Sequence, residues 1–268
     1  MRQGTTASIT PPEFRGDGQA VSAGTDWPIF VISLTDAQRR RAPLLGQLAS
    51  MRLDYEVVAA IDGRLGLPPE YEIYIDRVAT VRNLGRRMAD AEYACALSHN
   101  LVYRRVLDES LPGAIVLEDD AILQPGFAEF VVSGAYRSCD LILLDYGTAH
   151  VWPFSSRMLT PGARAGRVSL NPQLTTGYSV SAGGCSYLAG KSQPISGPAD
   201  WPCDIAGLGA QAAYPRLVDH PAPGCSDIEK ARQRIIDDRT RRGWKSVGTL
   251  YLRRQWRSII KRLSVRIP

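Results

Sequence analysis

The stretch Ala114-Ile115-Val116-Leu117, bounded by Pro112-Gly113 and running straight into Glu118-Asp119-Asp120, constrains the fold of this chain more than any other. A short run of Ile, Val and Leu between turn residues is the pattern of a buried strand. The acidic triplet therefore falls at the carboxyl end of that strand, where open α/β sheets place their ligands. Three neighbouring carboxylates repel one another, and burial raises their pKa values, unless a cation offsets them. A hard divalent ion held by two carboxylates, with a substrate diphosphate supplying further oxygens, accounts for the triplet most economically. An acidic loop behind a core strand is the plain alternative.

The pattern before and after the triplet extends the sheet. Trp27-Pro28-Ile29-Phe30-Val31-Ile32-Ser33-Leu34 is a continuous apolar run suited to a strand covered on both faces. A helix containing Leu44, Leu45 and Leu48 follows, with Thr35 or Asp36 as its cap and Pro43 delaying or kinking it. Tyr55 to Ile61 is a second strand, ending in Asp62-Gly63, so the order is strand, helix, strand, and the sheet is expected to be parallel. Residues 64 to 88 are expected to be irregular, and Asp90 to Leu107 to form an amphipathic helix carrying Ser98 and His99. A short helix at Phe127 to Ala135 and a strand at Asp140 to Tyr146 should follow the triplet. Residues 147 to 176, rich in Pro, Gly, Ser and Thr, look like a long loop or lid. Tyr178 to Ser181 and Cys185 to Ala189 suggest a strand and a small helix, and Trp201-Pro202-Cys203-Asp204 a loop.

At 268 residues and 44% hydrophobic, the chain can bury a full core and should be a soluble globular protein. Nothing approaches the roughly 18 uncharged apolar residues of a membrane span, and the first residues lack an apolar signal core. Five scattered cysteines without a CxxC pair suggest reduced thiols and a cytoplasmic location. The net charge of +5 is uneven, because residues 227 to 268 hold thirteen Lys or Arg against four acids. Leu252, Trp256, Ile259, Ile260 and Leu263 recur there at helical spacing among basic residues. Residues 250 to 268 thus fit an amphipathic helix lying on an anionic membrane, peripheral at its inner face, or one packed on the domain with a solvated basic side. No nucleic-acid-binding motif accompanies the charge. The expected organisation is a disordered leader at 1–26, a catalytic domain at 27–226 and a basic helical tail at 227–268.

Five segments, in order, resemble glycosyltransferase family 25, the lipooligosaccharide and collagen-type galactosyltransferases. They are Val31-Ile32-Ser33-Leu34 with Arg39-Arg40, Ala59-Ala60-Ile61-Asp62-Gly63, Cys95-Ala96-Leu97-Ser98-His99, Leu117-Glu118-Asp119-Asp120, and Tyr178 with Trp201-Pro202-Cys203-Asp204. The resemblance covers about residues 27 to 220. It implies a GT-A-like (Rossmann-like) nucleotide-sugar-binding sheet flanked by helices, and an inverting, metal-dependent transfer of a hexose. Galactose from UDP-galactose is the favoured donor, and a saccharide or lipid-linked saccharide the acceptor. Ala91-Glu92-Tyr93-Ala94 departs from the family's more usual Gly-Glu-(aliphatic)-Gly.

Carried over residue by residue, the resemblance implies Asp119 and Asp120 as contacts for Mn²⁺ or Mg²⁺. Glu118 and Asp119 would also serve the donor, as would Leu34, Arg39, Arg40, Asp62, Gly63, Ser98 and His99. Gly63 would let the backbone turn sharply after the second strand. Tyr178 or Trp201 would stack on the acceptor sugar, and Asp204, with Asp145 as competitor, would deprotonate its hydroxyl. Two rivals remain open: a nucleotidyltransferase using the same carboxylates, although Ser33-Leu34-Thr35-Asp36-Ala37 is no Gly-rich phosphate loop, and a non-catalytic carbohydrate- or partner-binding protein on the same fold.

Overall fold

A computed structural model of the chain describes residues 26–221 and 257–268. The leader and most of the basic tail lie outside the described residues. The fold is built on a ten-stranded mixed sheet with helices on both faces.

Strand β1 (Ile29–Ser33) is its organising element. It pairs in parallel with β2 (Glu56–Ala59) on one side and β3 (Gly113–Glu118) on the other. Because strand side chains alternate, β1 feeds two cores at once. Phe30 and Ile32 join Val116 beneath Val102 and Val106 of helix α3 (Asp90–Asp108), together with Leu188 of a later helix. Ile29 and Val31 join Ile115 and Leu117 against Leu44 and Leu48 of α1 (Gln38–Ser50). Helix α1 starts after Ala37 without a side-chain cap and runs through Pro43, so neither expected cap is used.

Residues 64–88 are more ordered than their composition suggests. They hold a 3₁₀ turn at Pro69–Tyr74 and helix α2 (Arg77–Leu84). Asp76 caps α2 by accepting from the Ala79 amide, and Gly85 ends it in the left-handed conformation at φ 66°. After β3 the chain makes a two-residue strand β4 (Ile122–Leu123), helix α4 (Phe127–Val132) and strand β5 (Leu141–Leu143).

The larger departure is at 147–176, where a loop was expected. Three strands occupy it: β6 (Ala149–Val151), β7 (Arg157–Thr160) and β8 (Ala163–Leu170). Ala163, Ala165, Gly166 and Val168 are buried, whereas Arg164 and Arg167 face solvent. Small inward residues are required: a Cβ on Gly166 would sit 3.0 Å from Val151 Cβ.

Strand β9 (Gly177–Ser181) then enters antiparallel between β3 and β5, and is followed by α5 (Ala182–Ser192), β10 (Gln211–Tyr214) and β11 (Val218–Asp219). With the last strand β12 (Val265–Ile267), the order across the sheet is β12-β6-β8-β10-β5-β9-β3-β1-β2, and β7, the tenth strand, pairs with β8 off this path. The parallel expectation thus holds for β1, β2 and β3, while β9 runs against them.

The outermost strand is the chain's last. Residues 257–263 are helical, and β12 (Val265–Ile267) pairs antiparallel with β6, burying Ile267. The described end of the basic segment is therefore stitched into the sheet. Deleting residues 265–268 should lower the unfolding free energy by about 1–2 kcal/mol, most of the worth of one buried Ile. Urea denaturation reads this, and an unchanged midpoint would mean the strand contributes nothing.

Candidate active site

The carboxyl ends of β1, β2 and β3 open into a cleft of about 690 Å³, counting its solvent-open mouth. Ser33, Leu34, Arg40, Asp62, Gly63, Arg64, Cys95, Ser98, His99, Glu118 and Asp119 are among its lining residues. Segments far apart in sequence converge here because every contributing strand ends at the same sheet edge.

The acidic triplet divides where β3 ends at Glu118 and the chain turns through Asp119 and Asp120. Glu118 faces the α3 side, where His99 Nε2 lies 3.3 Å from its Oε1 and Thr175 Oγ1 donates to the same oxygen at 2.8 Å. Asp119 faces the α1 side: Ser33 Oγ donates to its Oδ2 at 2.9 Å, and Arg40 Nε lies 2.9 Å from its Oδ1. The same guanidinium reaches Asp120 Oδ2 at 2.6 Å. Arg40 thus spans both aspartates, while Arg39, one residue earlier on the helix, is exposed and lines no part of the cleft.

Burial raises the pKa of Asp119, with Arg40 and Ser33 opposing it. It raises Asp120 too, reinforced by Glu118 and opposed by Arg40. Glu118 differs. Burial pushes it up, but His99, Thr175 and Arg40 together outweigh that, and it ends below the ordinary value.

The loop after β2 is fixed by α3. Ser98 Oγ accepts from the Ile61 amide at 2.9 Å and donates to the Ala94 carbonyl at 2.7 Å. Gly63 has no left-handed backbone; a Cβ there would meet the Asp90 carbonyl oxygen at 2.6 Å and Ala91 Cα at 2.8 Å. Close approach to the helix start, not a sharp turn, is why glycine is needed. Asp62 is exposed and gripped by Arg64, whose Nε and terminal nitrogen contact it at 2.9 and 2.6 Å, and these hydrogen bonds hold its pKa down. Arg64 also reaches Asp36 at 2.8 Å.

Four expected residues stand elsewhere. Tyr178 is fully buried in β9, its hydroxyl 2.8 Å from His99 Nδ1 and donating to Tyr103 at 3.2 Å, so it braces His99 and offers no ring face to a sugar. Trp201 is buried edge-on against Tyr178, 5.3 Å between ring centroids. Asp204 lies in an exposed turn, where its Oδ1 accepts from the Ala206 amide, away from the cleft lining.

Asp145 is buried just after β5. It shares the sheet edge with Glu118, because the Glu118 amide donates to the Thr176 carbonyl at 2.9 Å and the Asp145 amide to the Gly177 carbonyl at 3.2 Å. His220 Nδ1 is 3.0 Å from Asp145 Oδ2, and Arg216 is 3.4 Å from Oδ1. Burial raises the pKa of Asp145 against the pull of His220, Thr176 and Arg216. Register ties this cluster to the triplet, since Asp219 of β11 pairs with Ile122 of β4.

Sequence reasoning overlooked Ser33, Arg64, Thr175, Arg216 and His220 as parts of this edge. Only Ser33 carried a signal, as the last residue of an apolar strand.

A cleft lined with carboxylates at the carboxyl edge of its strands is where an open α/β sheet places its ligands, and that defines the class: an α/β protein with a ligand site at the sheet edge. The particular family follows from comparison. The sequence profile of "Glycosyltransferase family 25 (LPS biosynthesis protein)" matches residues 26–160, and the chain belongs to this family. It is 25% identical over 124 residues to the lipooligosaccharide biosynthesis protein lic2B of Haemophilus influenzae, covering 44% of this chain and 45% of that one. It is 25% identical over 170 residues to human procollagen galactosyltransferase 2, covering 60% of this chain and 27% of that one. It is also 31% identical over 102 residues to the inactive glycosyltransferase 25 family member 3 of Mus musculus, covering 37% and 17%. The matched region spans less than half the length of these relatives.

The Arg40 bridge makes a signed prediction. Carboxylates with raised pKa values take up protons on folding, so their contribution to stability falls as pH climbs from the ordinary carboxylate range through the raised values. Arg40 limits that loss. Arg40→Ala should lower Tm most near neutral pH, with the deficit shrinking as pH is lowered into the carboxylate range. Thermal unfolding across pH checks it, and a deficit independent of pH would show that Arg40 does not act through Asp119 and Asp120.

Proposed function

We propose that the chain is an inverting glycosyltransferase that moves a hexose from a nucleotide diphosphate donor, UDP-galactose first among candidates, to a saccharide or lipid-linked saccharide. The sheet is then a GT-A-like, Rossmann-like platform for the donor. One observation carries this reading. Leu34, Arg40, Asp62, Gly63, Ser98, His99, Glu118 and Asp119, dispersed along the sequence, line one cleft at the carboxyl edge of the sheet.

In this reading, the acceptor oxygen attacks the anomeric carbon as the bond to the diphosphate oxygen breaks, and the diphosphate leaves with the electron pair. Asp62 would bind the nucleoside, sharing its oxygens with Arg64. Arg40 and Arg64 offer forked donors to the diphosphate. Asp119 and Asp120 present hard oxygen donors that already hold a guanidinium between them, so they suit Mn²⁺ or Mg²⁺, which bind through one or two carboxylates plus phosphate oxygens. A divalent cation held there would supply charge neutralisation for the departing diphosphate. Of the two candidate bases, Asp145 is favoured over Asp204. It sits on the edge shared with Glu118, has a raised pKa, and is backed by His220.

The similarity to a family member named as inactive supports a second reading, a binding protein without turnover. One experiment separates them. Incubating the full chain with a panel of UDP-sugars and a saccharide acceptor, with and without Mn²⁺, should give metal-dependent UDP release. Asp120→Asn should reduce release by about two orders of magnitude or more. Asp145→Asn should lose transfer by about 10²-fold or more, the usual worth of a general base, while still binding UDP, and Asp204→Asn should stay within a fewfold of wild type. No UDP release from any donor, with UDP binding intact, would establish the binding-protein reading.

Among the described residues no helix is long and apolar enough to cross a membrane. We place the protein peripherally on an anionic surface, at the cytoplasmic face. Support comes from Ile259, Leu263 and Val265, exposed beside Arg257, Lys261 and Arg262. Cosedimentation with vesicles containing anionic lipid should fall several-fold in an Ile259→Asp, Leu263→Asp double variant and with added salt. Binding that is indifferent to both would remove this placement.

A further inference from the structure

Cys95 and His99 stand four residues apart on α3, which puts both on one face of the helix. That face meets the end of β3, so the Cys95 Sγ, a His99 ring nitrogen and a Glu118 carboxylate oxygen all lie within 4.8 Å of one another, and all three residues line the cleft. His99 is 2% exposed. Its Nδ1 is occupied by the Tyr178 hydroxyl at 2.8 Å, which in turn reaches Tyr103. Its Nε2 is buried, 3.3 Å from Glu118 Oε1, and makes no hydrogen bond. A ring locked through one nitrogen, with the other presented beside a thiol and a carboxylate, is the usual arrangement of a metal-ligating histidine and its outer hydrogen bond.

We propose that Cys95, His99 and Glu118 form a three-ligand site for a thiophilic divalent cation, Zn²⁺, with its fourth position open to the cleft. The site does not depend on what the cleft transfers. Tetrahedral zinc, with bonds of about 2.3 Å to sulfur and about 2.0–2.2 Å to nitrogen or oxygen, sets ligand atoms roughly 3.2–3.6 Å apart. The His99 and Glu118 atoms already stand at that separation, and Cys95 has at most about 1 Å to close. Sulfur and nitrogen donors distinguish this site from the all-oxygen pair Asp119 and Asp120, which suits a hard cation. The other three-ligand cluster among the described residues, Asp145, Asp219 and His220, has Arg216 within 3.4 Å of Asp145 and 3.3 Å of Asp219, so a cation already serves it. Binding at Cys95 exchanges the thiol proton for the metal and releases it to solvent.

Cobalt makes the site visible. Titrating Co²⁺ into the chelator-treated full chain should produce a thiolate-to-cobalt charge-transfer absorption that saturates at one equivalent and is bleached by one equivalent of Zn²⁺. Cys95→Ser, a near-isosteric change, should abolish the band. Glu118→Gln should keep it but weaken Co²⁺ binding by at least about tenfold, whereas Asp120→Asn and His220→Asn should leave it unchanged. Absence of the band in the wild-type chain, or its survival in Cys95→Ser, would overturn the proposal. Loss of the band in Asp120→Asn would assign the metal to the acidic pair and overturn it equally.

Discussion

The fold depends on how it accommodates four carboxylates at one sheet edge. Glu118, Asp119, Asp120 and Asp145 follow apolar strands whose burial is not negotiable, so they are carried inward with the strands. Like charges about 4 Å apart repel by roughly 4 kcal/mol at an effective dielectric near 20, comparable to a large part of a domain's net stability. Each carboxylate has an answering group, and Arg40 serves two of them. His99 and Thr175 serve Glu118, Ser33 and Arg40 serve Asp119, Arg40 serves Asp120, and His220 with Arg216 serves Asp145. The answering groups come from both faces of the sheet, with Glu118 turned toward α3 and both aspartates of the following turn held by Arg40 of α1.

The antiparallel entry of β9 follows from the same demand. Its approach segment passes between the ends of β3 and β5, where Thr175 bonds Glu118 and Thr176 supports Asp145. One dipeptide thereby separates two carboxylates while bonding each. The buried Tyr178 further along β9 does for His99 what Thr175 does for Glu118, and Gly63 against the start of α3 holds the fourth corner of the cleft. A defect at any of these positions is transmitted to the cleft through a hydrogen bond or a backbone contact, not through bulk packing.

What could be read from the sequence follows the strength of each local signal. Strands β1, β2 and β3 and helix α3 were legible because a continuous apolar run and a 3.6-residue repeat each match one kind of buried element. Strands β6 to β8 were not: the inward positions of β6 and β8 are mostly Ala, Gly and Val, whose small side chains hide the alternation, and β7 buries only Thr160 fully. Helix α2 did carry signals, Asp76 and Gly85 at its ends, which the mixed composition between them masked. At the site, residues at strand ends were legible and residues on surrounding elements were not. Arg39 and Arg40 differ by about 100° around a helix, a distinction no motif encodes. The aromatic candidates failed for a different reason: Tyr178 and Trp201 pack against each other, and a ring used that way has no face left for a sugar.

Arg40 gives the cleft its functional asymmetry. A guanidinium bonded to Asp119 and Asp120 opposes the rise in pKa that burial causes in both, and its side chain is 42% exposed, so it is held by its partners rather than by packing. Any stronger cation arriving with a diphosphate would compete for the same oxygens and leave Arg40 free to follow the phosphate charge. On the other wall, Glu118 is bonded by Thr175 and stands 3.3 Å from a ring that has no such freedom, since His99 is buried and tied to Tyr178. A triplet of neighbouring acids thus divides into a pair that shares one exposed guanidinium and a member set against buried partners.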